Sequence, residues 1–309
     1  MRNRIVNGAG MLATFIAAVC GFGPGASLDT SSAHALTADH LAVRRFSRIP
    51  DKWIDAAKTL AFHYAHTSHG SQIVAGLLAL EAIDPKYSAA IREDADTAAL
   101  PPQETPPAFR MYDGNPPETY IEPDDYWATD SGLDRTRAVA NTGLFNFSMW
   151  AWCGQQSSNS EETVNQYLAA LDTLGTEFSG MRFIYMTGHT DGGGADLIRN
   201  NRMVRDYVNA NNKILYDFAD IEQYDPDGNY HPDTDDSCTW CADWCNAHPD
   251  DPDCLYRPAD DTECAHTHGL NCMLKAKAFW WLMARLAGWN GIPTDSAVTA
   301  PLTILLSAP

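Results

Sequence analysis

His66-Thr67-Ser68-His69-Gly70 sets a serine between two histidines, and Glu263-Cys264-Ala265-His266 sets a carboxylate and an imidazole three residues apart near the other end of the chain. These are the parts of acyl transfer by a hydroxyl nucleophile. A serine hydroxyl is inert at neutral pH until a base takes its proton and donors face the developing oxyanion. A carboxylate can hold that base in the required tautomer. The expected roles are Ser68 as nucleophile, His266 as base and Glu263 as orienting acid. A serine at a helix start also serves simply as a cap, and both Ser68 and Ser71 stand at such a start.

Further polar residues gather where apolar runs end. Gly154-Gln155 follows Trp150-Ala151-Trp152-Cys153, His189 and Asp191 follow Met181–Met186, and Asp217 and Asp220 close Lys213–Phe218. His66, His69, His189 and Asp191 are expected to contact substrate or hold the site by hydrogen bonds, and together they are also a chemically reasonable metal set. His63, inside an apolar run, reads as a core histidine. Trp127, Trp150 and Trp152 could line a sugar site. Asp225, Asp227, Asn229 and Asp233 offer closely spaced oxygen ligands for a structural calcium, without the full EF-hand spacing. No other cofactor is expected.

The elements that must position these groups alternate between strand and helix. Leu60–Ala65 is apolar and aromatic, breaks into small polar residues at Thr67–Ser71, and resumes as a helical run to Ile83, stopped by Asp84-Pro85. Strands are also expected at Leu144–Trp152, Met181–Met186 and Lys213–Phe218. Helices are expected at Asp134–Asn141, from a capping box at Ser158 and Glu161 to about Phe178, from Asp196 to Asn209, and from Met273 to Ala287 before Gly288. Residues 86–133, rich in proline pairs and aromatics, read as a long ordered loop. This alternation predicts a three-layer α/β/α sandwich with a mainly parallel sheet, whose ligand lies at the carboxyl ends of the strands.

The chain has 309 residues and a formal net charge of −19, which argues against nucleic acid and anionic membrane surfaces as partners. Residues 1–35 read as a secretory signal: Arg2 and Arg4, an apolar core at Ala9–Gly21 too short to span a bilayer, and Ala33-His34-Ala35 before Leu36. Residues 36–290 are expected to form the folded domain, with an acidic cysteine-rich insertion at 222–271 and a tail at 291–309. Cys238, Cys241, Cys245, Cys254, Cys264 and Cys272 read as a disulfide framework of unspecified pairing, with zinc at Cys238-x2-Cys241-x3-Cys245 as the rival. Cys153 is left over.

The blocks around Ser68, Gln155 and His266 resemble those of the SGNH/GDSL-type hydrolase superfamily. His-Thr-Ser-His-Gly-Ser-Gln, Trp-Cys-Gly-Gln, Thr-Gly-His and Cys-Ala-His before a Trp-rich helix also resemble a secreted bacterial branch with the same blocks. The resemblance implies a flavodoxin-like sheet, Ser68 as nucleophile, and oxyanion donors from Ser68, Gly132 and Gln155. It puts Glu263 and His266 in the family's final acid–His block, with Glu for Asp. It implies an ester hydrolase acting on an acylated carbohydrate or other small ester. The rival is a secreted carbohydrate-binding or surface-assembly protein that keeps the fold without the chemistry.

Overall fold

Among the described residues seven short strands form the sheet: β1 (Leu36–Ala38), β2 (Ala61–Ala65), β3 (Ala89–Glu93), β4 (Phe109–Asp113), β5 (Phe147–Trp150), β6 (Arg182–Met186) and β7 (Ile214–Tyr216). They are seen in a computed structural model that describes residues 35–256 and 264–292. Every pairing is parallel, in the order β1-β7-β6-β5-β2-β4-β3. Every residue of β2 and β5 is buried, so both read as apolar runs broken only by His63 and Ser148 rather than as alternating ones. Taken alone, β4-β2-β5-β6-β7 follows the 2-1-3-4-5 order of doubly wound sheets.

Helices cover the two faces. On one side α1 (His40–Arg45), α2 (Asp51–Ala57) and α3 (Ser71–Ile83) pack against α9 (Gly269–Leu286). On the other, α5 (Glu161–Glu177) packs against α6 (Gly194–Ala210), and both contact β6. Between them in sequence come α4 (Asp130–Asn141), α7 (Phe218–Glu222) and α8 (Thr239–Ala247). The expected three-layer sandwich is therefore the observed one.

Several boundaries differ from expectation for local reasons. Residues 86–133 hold β3 and β4, which are short, flanked by prolines and lacking alternation, so periodicity does not reveal them. The strand carrying Ser68 is the second in the chain, because Leu36–Ala38 adds an edge strand beside β7. Helix α5 is capped by Ser160, whose hydroxyl accepts from the Thr163 amide, while Ser158 donates to the Gln155 carbonyl. The six loop cysteines pair in chain order as Cys238–Cys241, Cys245–Cys254 and Cys264–Cys272. The signal segment up to residue 34, Glu263 and the tail beyond residue 292 lie outside the described residues.

Helix α9 is buried along almost its whole length, and α3 approaches it at Gly76. A Cβ at Gly76 would overlap the Cys272 carbonyl and crowd Ala276. Gly76→Ala should therefore destabilise the protein by about 2 kcal/mol despite alanine's better helix propensity. A lower midpoint in urea unfolding is the check. An unchanged midpoint would show that the two helices can separate freely.

Candidate active site

The topology reverses at β2. The chain leaves it for β3 and β4 on one side and returns through α4 to β5 on the other. Such a switch point opens a crevice between the carboxyl ends of neighbouring strands. Here β2 delivers the turn Ser68–Gly70 and β5 delivers Cys153. Gly70 is required where the turn meets β5, since a Cβ there would strike His66 and Ala151.

Cys153 stands at the centre of the crevice. Its Sγ lies 3.0 Å from His69 Nδ1 and 3.4 Å from Ser68 Oγ. The other ring nitrogen of His69, Nε2, faces Asp236 Oδ2 at 3.5 Å. A thiol, an imidazole and a carboxylate thus lie in line, with the imidazole in the middle. Burial pushes the Cys153 thiol up, but the Ser68 hydroxyl and the backbone amides of Gly154 and His69 outweigh it, leaving the thiol below its ordinary value. Burial lowers His69, against the pull of Glu222 and Asp236, so the ring is a neutral proton acceptor near pH 7. All six described cysteines of the loop region are in disulfides, which leaves Cys153 as the free thiol among the described residues.

Two more imidazoles surround His69. His189 stacks on it with ring centroids 3.6 Å apart and planes 9° from parallel, and the exposed His266 lies at 4.5 Å. Beneath them runs a buried polar chain. Lys275 Nζ donates to Glu222 Oε1 at 2.7 Å and to Gln72. Glu222 Oε2 accepts from the Thr190 amide and hydroxyl at 2.7 and 2.8 Å, and the Thr190 carbonyl accepts from His189 Nδ1 at 2.9 Å. Burial pushes the Lys275 ammonium down, to about 8, against Glu222, while that ammonium holds the Glu222 carboxyl below its usual range.

The sequence-predicted residues divide into those gathered here and those engaged elsewhere. Ser68, His69 and His189 gather at Cys153, while His266 is in ring contact with His69 and among the described residues makes no hydrogen bond to Ser68. His66 turns away: Nδ1 donates to the Thr67 carbonyl and Nε2 to Asp113, whose charge raises the imidazole against burial. Gln155 holds the Cys153 amide through Oε1 and donates to Glu122, so its amide is spent on shaping the strand end. The Gly132 amide donates to the Thr129 cap at the start of α4. Asp191 accepts from Gly193 in the glycine turn. Trp127, Trp150, Trp152 and Tyr167 form an interior edge-to-face cluster, with the Trp152 indole bonded to the Met186 carbonyl. They are core rather than a sugar platform.

The acidic loop closes on itself. Asp225 accepts from the Asn229 backbone and side chain and from His231, and Asp227 accepts from Trp244. Asn229 therefore presents its donor to Asp225, and Asp225, Asp227 and Asp233 do not meet as a group. Cys153 and Asp236 are the site residues that sequence reasoning passed over. The odd cysteine at a strand end, ahead of Gly-Gln, was the available signal.

His63 shows what a buried histidine does when it is structural. Nε2 donates to the Gly114 carbonyl, Nδ1 accepts from Ser148, and burial pushes the ring from 6.5 down to about 4. The unfolded chain takes up this proton near pH 6.5, and the folded one only near pH 4. The His63 contribution to stability is thus intact above pH 6.5 and falls by about 3 kcal/mol between pH 6.5 and pH 4. Comparing urea unfolding of wild type and His63→Gln at pH 7 and pH 5 should show about 2 kcal/mol less acid sensitivity in the variant. Equal sensitivity would mean that the ring is solvated. No helix among the described residues is long and apolar enough to cross a membrane. Comparison with protein-family models, curated proteins and solved structures finds no match for this chain.

Proposed function

We propose that the chain is an exported acyl hydrolase that cleaves small esters through a Cys153 thiolate, with His69 as base and Asp236 orienting His69. The carrying observation is the 3.0 Å approach of Cys153 Sγ to His69 Nδ1 at the topological switch point. His69 takes the thiol proton, and Sγ bonds to the ester carbonyl carbon. The carbon–oxygen bond to the alcohol breaks, and the alcohol leaves with the proton from His69. Water then loses a proton to His69 and attacks the thioester. The acid departs as the carbon–sulfur bond breaks, and the proton returns to sulfur. Amides of Gly154 and His69, which face the sulfur, are the donors nearest the oxyanion.

The choice of an ester rests on the sequence resemblance to SGNH-type hydrolases, and an acylated carbohydrate remains the favoured substrate class on that basis. Glu122 and Asp236 flank the crevice, which favours neutral or cationic substrates over anionic ones. Export is supported by three disulfides, which persist in oxidising compartments. Ser68 acts here as a hydroxyl donor to the sulfur, since its Oγ contact is with Cys153. Hydrolysis of a chromogenic acetate ester by wild type, Cys153→Ala and Ser68→Ala tests this. Loss of turnover in the cysteine variant is expected. Full activity there with loss in Ser68→Ala would return the reaction to the serine.

A further inference from the structure

His189 is almost fully buried, with 2% of its surface exposed, yet its Nε2 has no hydrogen-bond partner. The Thr190 carbonyl can only accept, so Nδ1 of His189 must carry the hydrogen in the neutral ring. The lone pair is then on Nε2. A buried, unpartnered imidazole lone pair is costly unless something occupies it. His69 Nε2 is likewise buried without a hydrogen-bond partner, with Asp236 Oδ2 3.5 Å away, while Nδ1 faces Cys153 Sγ at 3.0 Å. One ligand atom from each of His69, Cys153 and His189 lies within 4.8 Å of the others.

We infer that His69, Cys153 and His189 form a binding site for a zinc-type divalent cation. One thiolate and two imidazoles suit a borderline-soft ion, and three protein ligands leave a fourth position open, as in catalytic rather than structural zinc sites. Oxygen-seeking calcium and magnesium do not fit this donor set. The ligands have the outer support such sites use. The Thr190 carbonyl fixes His189, Glu222 fixes Thr190, and Lys275 fixes Glu222. The cation replaces the ring-on-ring contact of His69 and His189: His69 turns its Nδ1 edge to the ion, while His189 keeps its hydrogen bond to the Thr190 carbonyl. It also takes the sulfur, so zinc and a covalent thiol reagent exclude one another. The site stands whether or not the thiolate turns over esters.

The test uses the intact, disulfide-bonded protein without reductant. Cadmium, added in excess calcium and magnesium, should give a thiolate-to-metal charge-transfer band saturating at one ion per chain. Cys153→Ser should lack the band. His189→Gln should need at least about tenfold more cadmium, while a single cooperative thermal transition in chelator shows that the variant is folded. Asp220→Asn, in the neighbouring Asp39–His40–Asp220 cluster, should bind cadmium as wild type does. X-ray absorption of the zinc-loaded wild type should show one sulfur and two imidazole nitrogens, independently of any variant. Absence of the band in wild type, unchanged affinity in His189→Gln, or a zinc shell without sulfur would each overturn the assignment.

Discussion

Replacing Cys153 with alanine should lower hydrolysis of a small acetate ester by at least about 1,000-fold, with little change in the melting temperature. The side chain is half-buried, and its main contacts are the polar ones to His69 and Ser68, so its removal leaves no large apolar cavity. Its loss is one of chemistry, because in the proposed mechanism the sulfur is the atom that bonds to substrate. His69→Ala should cost about 100- to 10,000-fold, the range of a missing general base. Ser68→Ala should cost less than about 100-fold, since it removes one donor to the thiolate and no bond-forming atom. That ranking separates a thiol nucleophile from a serine one without knowledge of the natural substrate.

Lys275→Met should destabilise the fold by about 3–5 kcal/mol, about 10 °C in melting temperature. Lys275 and Glu222 have no exposed side-chain surface, and each is the other's counter-charge. Removing the ammonium strands a carboxylate that cannot reach water. Its remaining donors, the Thr190 amide and hydroxyl and the Asn271 side-chain amide, do not neutralise it. Glu222→Gln should cost less, because the amide oxygen still accepts from Thr190 while its NH2 can donate to a Lys275 that has shed its proton. Lys275→Met combined with Glu222→Leu should recover part of the loss, as the charge cost disappears with both partners. Thermal unfolding of Lys275→Met, Glu222→Leu and the double variant closes the cycle. Strict additivity would show that the pair is not coupled.

The sheet was legible wherever a strand was long and apolar and a helix followed with a clear stop. Leu60–Ile83 and Met181–Asn209 show both signals, and the structure has β2 and α3 at the first and β6 and α6 at the second. The two edge strands, and β4 beside one of them, were not legible. Leu36–Ala38 is three residues long, and β3 and β4 sit among prolines with no period to detect. Lys275 hid for the opposite reason: a cation inside an apolar helix reads as a surface residue until its buried partner is known. Its partner, Glu222, lies 53 residues earlier.

The site was half legible. The polar turn after Ala65 and the strand end at Cys153 both point to the carboxyl edge of a parallel sheet. What the sequence withheld is that β2 and β5 are neighbours, which alone brings His69 to Cys153 across 84 residues. Counting cysteines isolates Cys153 but does not distinguish a spare thiol from a nucleophile. The aromatic residues misled for a physical reason: Trp152 follows a strand end, yet its ring turns back into the core to satisfy its indole N–H.

Incubating the protein with an activated acetate ester, quenching in acid and locating the acetyl group by peptide mass spectrometry tests the mechanism most directly. A thioester on Cys153 that is absent from His69→Ala at the same time point is the expected result. An acetyl group on Ser68, or turnover with neither residue modified, would contradict it.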